Sequence, residues 1–455
     1  MPSVPSLGAR VVIAGTHSGV GKTTVATGLM AALRRRGLKV GAAKVGPDYI
    51  DPSYHGLATD RVSRNLDAWL CGADAVAPLA SRAAEGCDVL VVEGVMGLFD
   101  GADDPTGPSA STAQVSALLD APVVLVVDAA SMSGSVAALV HGFSTFDPSV
   151  SVAGVVLNRV GSDSHERMLR DALAPLDIPV LGILRRNDAF RWRDRHLGLV
   201  PVVEHRQEVL TSLDALGAAV AAACDLDAIL AIARAAPRVS VPPPRRAWHQ
   251  ARVRIGLASG PAFSFLYQDN LEALEQAGAE LVPFDPTKDA HLPSGLHGIY
   301  AGGGFPEVFA ESLAVNRSLL ADVRVRVENG MVTWAECGGL LWLARSLDGH
   351  RLAGAVHADA HMTDRLTLGY RHLWPRVDTP LAAAGAELRA HEFHYSILDP
   401  PGDAIECRSR RGADRAGYAS ATLMASYLHL HLGGDPSPAE RFVQVAAARS
   451  SPSRS

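Results

Sequence analysis

Cysteine is scarce in this chain, with five residues among 455. The number is odd and no Cys-x-x-Cys pair occurs, so the sequence shows neither a disulfide framework nor a zinc-binding pattern. We therefore expect a reduced, cytoplasmic protein. Any cysteine with a function in it would act through the reactivity of its thiol. The five are Cys71, Cys87, Cys224, Cys337 and Cys407.

Long apolar runs and an excess of positive charge are also missing. The longest apolar runs have the length of a strand, so we expect no membrane span. Residues 1–9 lack a charged region followed by an apolar one, so we expect no signal peptide. The formal net charge is −6, which leaves no basic footprint for a nucleic acid.

What is present is the composition of a globular protein, since 48% of the residues are hydrophobic and 20% are charged. The length predicts two or three domains. In the first half, nearly continuous apolar runs alternate with helical patterns, as in a parallel sheet buried on both faces. This pattern predicts a doubly wound α/β domain that binds ligands at the carboxyl ends of its strands. The predicted strands are residues 11–14, 40–44, 89–93, 123–128, 152–157 and 180–183.

A glycine-rich segment follows the first predicted strand. Residues 15–24 read Gly-Thr-His-Ser-Gly-Val-Gly-Lys-Thr-Thr and precede a helical pattern. Strand, glycine-rich turn and helix are the context of a phosphate-binding loop, whose backbone N–H groups surround a polyphosphate at a helix N-terminus. In that interpretation Lys22 reaches the β- and γ-phosphates of ATP, and the Thr23 hydroxyl ligates Mg²⁺. The other residues assigned to the nucleotide are Thr16, Gly19, Val20, Gly21 and Thr24.

Acidic residues follow two of the next strands. Glu93 ends a predicted strand and precedes a glycine, so its carboxylate can face a Mg²⁺ ion held by Thr23. Burying this carboxylate without a partner would be costly, so a cation or a hydrogen-bond donor is expected beside it. Asp48 and Asp51 lie three apart in a Gly/Pro turn, where forming the turn is an equal alternative.

Two further polar features lie beyond residue 157. Asn158 ends a predicted strand, and its amide fits the edge of an adenine. The alternative for this asparagine is a helix cap or a turn. Arginines are dense from residue 185 to residue 196. Such a run is usually a solvated face, and the alternative is a site for a polyanionic substrate, because guanidinium groups match carboxylates well.

A proline-rich segment separates the two halves of the chain. Residues 238–250 contain three consecutive prolines, which predict a semi-rigid connector with a boundary near residue 245. The predicted domains are therefore residues 1–237 and 251–445. Residues 446–455 are predicted to be a disordered tail, because its end is rich in serine and proline.

The second half begins a new α/β pattern and contains a distinctive cysteine. An apolar segment leads into Glu336-Cys337-Gly338-Gly339, and an apolar helical pattern follows. This order predicts a nucleophile elbow, with the thiol on a tight turn between a strand and a helix. A helix N-terminus lowers the pKa of a thiol and favours the nucleophilic thiolate. The alternative is a buried structural cysteine.

Partners for this thiol are also present. A Cys/His pair attacks a carbonyl through the thiolate while backbone N–H groups hold the oxyanion. The candidate donors are the N–H groups of Gly303, Gly304 and Gly338. The candidate base lies in the segment Tyr427-Leu428-His429-Leu430-His431. Residue type alone does not decide between His429 and His431.

The two halves together resemble the cobyrinic acid a,c-diamide synthase family, which includes enzymes of hydrogenobyrinic acid. The first half is similar to dethiobiotin synthetase, and its loop resembles the variant of MinD-like ATPases, with Gly15 in place of a glycine at position 16. The second half resembles a class I glutamine amidotransferase. The matching segments are residues 15–24, 44–52, 93–101, 195–200, 262–270, 302–307, 334–340, 391–396 and 425–432.

The resemblance implies a ligase of cobalamin biosynthesis. ATP would phosphorylate the a and c acetate carboxylates of a corrin polycarboxylic acid, and ammonia from L-glutamine would displace the phosphate. Other tetrapyrrole amidases, such as cobyric acid synthase and nickel-sirohydrochlorin a,c-diamide synthase, share this layout. A P-loop switch ATPase is an alternative from another class, but it would need neither the cysteine nor the histidine. The oligomeric state stays open, with a homodimer as one alternative.

The resemblance also implies roles for single residues. Asp48 joins Thr23 and Glu93 as a Mg²⁺ ligand, and the Tyr-Leu-His string favours His429 as the base. Two positions depart from the pattern. Ala335 replaces the first glycine of the usual elbow, and His431 stands where the usual third carboxylate of the triad would be. The residues assigned to the corrin substrate are Lys44, Tyr49, Asp51 and Asp100.

Overall fold

The computed structural model describes residues 6–102, 110–186, 194–195, 198–199, 206–242, 253–410 and 412–450. The chain divides into two compact units, Met1–Pro244 and Arg245–Ser455. This division lies next to the boundary predicted near residue 245. Among the described residues, no helix combines the length and the apolar character needed to cross a bilayer.

The first unit is built on short strands that alternate with helices. Its strands are β1 (Ser6–Leu7), β2 (Arg10–Gly15), β3 (Val40–Val45), β4 (Arg64–Leu66), β5 (Val89–Glu93), β6 (Val123–Asp128), β7 (Val152–Val160), β8 (Val180–Arg185), β9 (Asp194–Arg195), β10 (Gly198–Leu199) and β11 (Val239–Ser240). Its helices are α1 (Lys22–Arg35), α2 (Ile50–Thr59), α3 (Ala68–Cys71), α4 (Ala73–Ala83), α5 (Thr112–Leu118), α6 (Ser135–Thr145), α7 (Asp163–Leu173), α8 (Arg206–Ala223) and α9 (Leu226–Ala235).

A parallel seven-stranded sheet forms the centre of this unit, in the order β4-β3-β5-β2-β6-β7-β8. All six predicted strands are present in it, and the short β4 is the one that the apolar pattern missed. Every residue of β2, β3 and β5 is buried, as expected for a sheet covered on both faces. Because all strands run the same way, the loops after β2, β3, β5 and β7 emerge at one edge.

The predicted connector and the arginine-rich run are only partly covered by the described residues. Val239–Ser240 pairs with Ser6–Leu7 as an antiparallel ladder, so the start of the predicted connector belongs to the fold of the first unit. The remainder of that connector, residues 243–250, lies outside the described residues. Most of the arginine-rich run also lies outside them. Arg185, at its start, donates hydrogen bonds to Asp163 and Glu166.

The second unit combines two sheets. Its strands are β12 (Val253–Ala258), β13 (Ala279–Phe284), β14 (Gly298–Ala301), β15 (Val332–Glu336), β16 (Ser346–Leu347), β17 (His350–Arg351), β18 (Asp359–Pro375), β19 (Leu388–Asp399), β20 (Ile405–Ser409), β21 (Gly412–Ala416), β22 (Tyr418–Ser420), β23 (Leu423–Ser426) and β24 (Leu428–Leu430). Its helices are α10 (Gln268–Gln276), α11 (Ala310–Val315), α12 (Arg317–Glu328), α13 (Gly338–Leu343) and α14 (Ser437–Ser450).

The first of these sheets has the order β13-β12-β14-β15-β23-β22 and is parallel except for β22. The second follows the order β17-β16-β18-β19-β24, with β20 paired to β18 and β21 to β20. Strand β24 follows β23 after a single residue and pairs with β19. The chain thus passes from one sheet to the other at Tyr427, two residues before the first candidate histidine, His429.

The last helix corrects the predicted start of the tail. Helix α14 continues to Ser450, five residues into the segment predicted to be disordered. Its apolar face explains why, since Phe442, Val443 and Ala446 are buried. The ring of Phe442 lies 6.2 Å from that of Trp334 in β15. Residues 451–455 lie outside the described residues.

Candidate active site

The phosphate-binding loop joins β2 to α1 in the predicted way. Gly19 and Gly21 have φ angles of +81° and +99°, a region that glycine adopts without strain. A side chain on Gly21 would also overlap the amide nitrogen of Asn158. Lys22 is the first residue of α1, and its Nζ donates to the carbonyl of His17 at 3.2 Å. Burial and the nearby Lys44 lower the pKa of Lys22 to about 8.

Asn158 holds this loop in the structure. Its Nδ2 donates to the carbonyl of Val20 at 2.8 Å, and its Oδ1 accepts from the N–H of Arg159 at 2.9 Å. Arg159 in turn donates to the carbonyl of Gly19 at 2.9 Å and pairs with Asp128. These contacts position the loop from the end of β7. The role of Asn158 at the adenine stays a prediction.

A cluster of buried polar residues lies beside the loop. The Thr23 hydroxyl lies 2.6 Å from Glu93 Oε1 and 3.4 Å from Asp51 Oδ2. A hydroxyl and two carboxylates are oxygen ligands of the type that Mg²⁺ takes together with phosphate oxygens. Among the described residues, no group of three or more His, Cys, Asp or Glu side chains forms a metal site by itself. The set therefore fits an ion that substrate phosphates help to bind.

Lys44 occupies the centre of this cluster. Its Nζ lies 2.6 Å from Asp51 Oδ2 and 2.8 Å from Glu93 Oε1. Burial acts to lower the pKa of Lys44, but the two carboxylates outweigh it and raise that pKa. Burial likewise opposes the charge of Glu93, yet Lys44 and His55 hold the Glu93 pKa below its ordinary value. Burial and the other acids raise the pKa of Asp51.

His55 is a member of the cluster that sequence reasoning missed. Its Nε2 lies 2.6 Å from Glu93 Oε2, and both side chains are fully buried. The available signal was the spacing of four residues between Asp51 and His55, which places them on one face of a helix. Both residues lie in α2.

The other predicted acids lie in the adjoining loops. Asp48 Oδ1 accepts from the N–H groups of Ile50 and Asp51 at 2.7 and 3.3 Å, so this carboxylate holds the start of α2. Tyr49 directly precedes that helix. Asp100 Oδ2 accepts from the N–H of Gly97 at 2.8 Å. Of the two aspartates after β3, Asp51 is the one that contacts Thr23.

In the second unit, Cys337 lies on the predicted turn between β15 and α13. Its φ and ψ angles are 47° and −99°, a strained conformation for a residue other than glycine. The thiol is 6% exposed, and its Sγ lies 3.8 Å from the carbonyl of Phe393. The strand, strained turn and short helix match the predicted elbow.

The prediction of a lowered thiol pKa is contradicted. Burial raises the pKa of Cys337, and the carboxylates of Glu307, Glu336 and Glu392 raise it further. The Gly338 N–H acts in the opposite direction but is outweighed. The resting cysteine is therefore a thiol.

The glycine loop after β14 packs against this turn. Gly339 N–H donates to the carbonyl of Gly302 at 2.9 Å. A Cβ added to Gly338 would lie 3.1 Å from the nitrogen of Gly304, so these two backbones lie close together. The N–H of Gly303 donates to the carbonyl of Phe265 at 3.1 Å. The Gly303 N–H thus already has an acceptor, and the roles of the three glycines at an oxyanion stay predictions.

The two candidate histidines have different surroundings. A Cβ on Gly303 would lie 2.6 Å from Cε1 of His429, so this imidazole borders the glycine loop. Burial lowers the pKa of His429 to about 3, so the resting ring is neutral. His431 Nδ1 accepts from Gly433 N–H at 3.1 Å, and its ring lies 4.3 Å from that of Tyr267. His429 is thus the histidine that borders the glycine loop, and its role as the base stays a prediction.

A phosphate-binding loop with buried acids in one unit and a cysteine elbow in the other define a class of enzyme. Residues 11–200 match the CobQ/CobB/MinD/ParA nucleotide binding domain, and residues 254–437 match the CobB/CobQ-like glutamine amidotransferase domain. The chain is accordingly a glutamine-dependent, amide-forming ligase with a nucleotide-binding domain.

Relatives match over nearly the whole length. A hydrogenobyrinate a,c-diamide synthase of Streptomyces coelicolor is 49% identical, over 96% of this chain and 97% of its own. One of Thermobifida fusca is 43% identical over 97% of both chains. A cobyrinate a,c-diamide synthase of Synechococcus is 41% identical over 98% of this chain and 100% of its own. The chain belongs to the family of hydrogenobyrinate and cobyrinate a,c-diamide synthases.

Proposed function

We propose that this ligase converts the a and c acetate carboxylates of a corrin polycarboxylic acid into amides, within cobalamin biosynthesis. The observation that carries the proposal is the full-length similarity to enzymes named for that reaction. The relatives at 49% and 43% identity are named for hydrogenobyrinate, so the metal-free ring is the first substrate to test. ATP, L-glutamine and the corrin acid are the three substrates, and the cytoplasm supplies the first two.

In the first unit, the reaction would activate a carboxylate that ammonia cannot attack directly. The carboxylate oxygen takes the γ-phosphoryl group of ATP, giving an acyl phosphate and ADP. Lys22 and the N–H groups of the loop neutralise charge on the transferring group. Thr23 and Glu93 would hold Mg²⁺, which neutralises the β- and γ-phosphate oxygens when bound. Asp51 is the nearest additional carboxylate to Thr23 and Glu93. The sequence instead predicts Asp48 as the further Mg²⁺ ligand.

Substrate contacts are proposed for the residues around this cluster. Tyr49 and Asp100 lie in loops at the carboxyl edge of the sheet, where ligands of such sheets bind. Lys44 has a different setting, because it is 3% exposed and paired with Asp51 and Glu93. Its proposed contribution is to hold the two carboxylates beside Thr23.

In the second unit, glutamine would supply the ammonia. His429 takes the proton of the Cys337 thiol, and the thiolate attacks the side-chain amide carbon of glutamine. The Gly304 and Gly338 N–H groups stabilise the oxyanion. The proton returns to the leaving nitrogen, ammonia departs, and a thioester remains on Cys337. Water then hydrolyses the thioester to glutamate, while the ammonia displaces phosphate from the acyl phosphate.

Mass spectrometry of the product tests this function. The purified protein is given ATP, Mg²⁺ and glutamine with hydrogenobyrinic acid in one reaction and cobyrinic acid in another. Replacement of two OH groups by NH₂, with two ATP consumed, is the expected result for at least one ring. Intact ATP together with unamidated rings in both reactions would contradict the proposal.

A further inference from the structure

The site around Cys337 contains a buried acid that has no role in the proposed reaction steps. Glu336 directly precedes Cys337 at the end of β15 and is 1% exposed. Its Oε1 accepts from the N–H of Leu430 at 2.9 Å, and its Oε2 accepts from the Tyr300 hydroxyl at 3.1 Å. That second oxygen also lies 3.9 Å from Nδ1 of His429. One carboxylate thus contacts both the side chain of the proposed base and the backbone of the next residue.

The backbone around His429 is held from both sides. Asn270 Nδ2 donates to the carbonyl of Leu430 at 2.7 Å, and its Oδ1 accepts from the N–H of Leu432 at 2.7 Å. Glu336 takes the remaining hydrogen-bonding group of Leu430, its N–H. Since His429 lies in register with His391 of β19, the position of its backbone is fixed. These backbone contacts do not fix the orientation of the imidazole ring or the charge that faces it.

We propose that Glu336 is a positioning residue for His429, taking the place of the carboxylate that follows the histidine in the usual triad. The proposal rests on the proposed role of the Cys337 and His429 pair. A carboxylate beside Nδ1 holds the ring so that Nε2 is the nitrogen that exchanges the proton with the thiol. Burial raises the pKa of Glu336 to about 8, so above that pH the carboxylate is ionised and also stabilises the imidazolium that forms when His429 takes that proton. His431, at the position of the usual carboxylate, cannot supply this charge.

The alternative is that Glu336 only anchors strand β24. Glu336→Gln separates the two roles, because the amide oxygen can still accept from Leu430 N–H while the side chain can no longer ionise. If Glu336 positions His429, kcat for glutamine hydrolysis above about pH 8, where Glu336 is ionised, falls on the order of 10²-fold while the KM for glutamine changes little. Glu336→Asp, which restores a carboxylate, should recover part of the loss. An anchoring role alone predicts full activity in Glu336→Gln.

The experiment measures glutamate release and amidation with glutamine or with ammonia in the full-length protein. Glu328→Gln is the matched control, since Glu328 is an exposed acid of α12 that pairs with Arg324 at 2.8 Å. Loss of glutamine use with ammonia use retained supports the proposal. Glutamine hydrolysis within about twofold of the parent overturns it, and so does an equal loss with both nitrogen sources. Unchanged glutamine hydrolysis in Cys337→Ser would instead refute the proposed function of the pair.

Discussion

The hydroxyl of Thr23 donates a hydrogen bond of 2.6 Å to Oε1 of Glu93. The two residues are 70 positions apart and come from the start of α1 and the end of β5. Adjacent parallel strands β2 and β5 bring them together. The same carboxylate oxygen lies 2.8 Å from Lys44. One buried oxygen therefore links the phosphate-binding loop to the acidic loops that follow β3 and β5.

Replacing Thr23 by valine should impair ATP turnover without unfolding the unit. The substitution keeps the shape of the side chain but removes the oxygen proposed to hold Mg²⁺. We expect ATP-dependent amidation to fall by about 10²-fold or more, while glutamine hydrolysis at Cys337 continues. The measurement is ADP release against Mg²⁺ concentration.

Thr27→Val is the matched control for that substitution. Thr27 lies one turn further along the same helix and is fully buried, and its Oγ1 has no hydrogen-bond partner among the described residues. Its replacement should leave ADP release unchanged. Equal rates in both variants would mean that the Thr23 hydroxyl plays no part in phosphoryl transfer.

Lys44 should matter for stability more than its position at a strand end suggests. Lys44→Met leaves two buried carboxylates without their cation, and breaking a buried ion pair in this way costs about 3–5 kcal/mol. Urea denaturation of the variant should show that loss. The exposed Lys288, 2.9 Å from Asp285, provides the control, and Lys288→Met should cost less than about 1 kcal/mol. Similar midpoints for the two variants would contradict the importance of the buried cluster.

The local features of this chain could be predicted from its sequence. Buried parallel strands are continuous apolar runs, and glycines mark the loops in which the backbone must take positive φ or approach another group. The elbow at Cys337 follows from an apolar strand, a cysteine, two glycines and an apolar helix. Each of these signals is complete within about ten residues.

Contacts and pKa shifts that depend on the pairing of strands distant in the chain could not be predicted from the sequence. Lys44 meets Glu93 because β3 and β5 pair in a register that places these two residues side by side. Burial is the main cause of the raised pKa of Cys337, and acids from three places in the chain, Glu307, Glu336 and Glu392, add to it. Glu336 did carry a local signal, since it is an acid at the end of an apolar strand. Glu93 carries the same local signal at the end of β5.

Cys337→Ser should separate the two nitrogen sources. Serine lacks the nucleophilic sulfur, so glutamine-dependent amidation should decrease on the order of 10³-fold or more. Amidation with added ammonia should remain, because in the proposed mechanism the first unit activates the carboxylate without Cys337. The measurement compares amide formation with each nitrogen source. A variant that is inactive with ammonia as well would assign a different role to this thiol.

Gly303→Ala should displace the His429 ring sterically while leaving its chemical groups unchanged. The added Cβ would lie 2.6 Å from Cε1 of His429, a distance at which the ring must move. A displacement of about 1 Å at a catalytic group costs on the order of 10²-fold in rate, so glutamine hydrolysis should fall by about that factor. Gly134→Ala, where no atom lies within 4 Å of the new Cβ, is the control. Undiminished hydrolysis in Gly303→Ala would exclude His429 from the reaction.

The charge of Glu336 should also appear in the dependence of stability on pH. Burial raises the pKa of Glu336 from its ordinary value of 4.5 to about 8. Between these two values the folded protein keeps a proton that the unfolded chain has released. Folding stability from this group is therefore fully present below about pH 4.5 and decreases until about pH 8, by up to about 1.4 kcal/mol per pH unit. Glu336→Gln removes the titration, so the variant should gain stability relative to the parent as the pH rises through this window. Urea denaturation at pH values across the window measures the difference, and a constant difference would mean that Glu336 is already ionised in the folded protein.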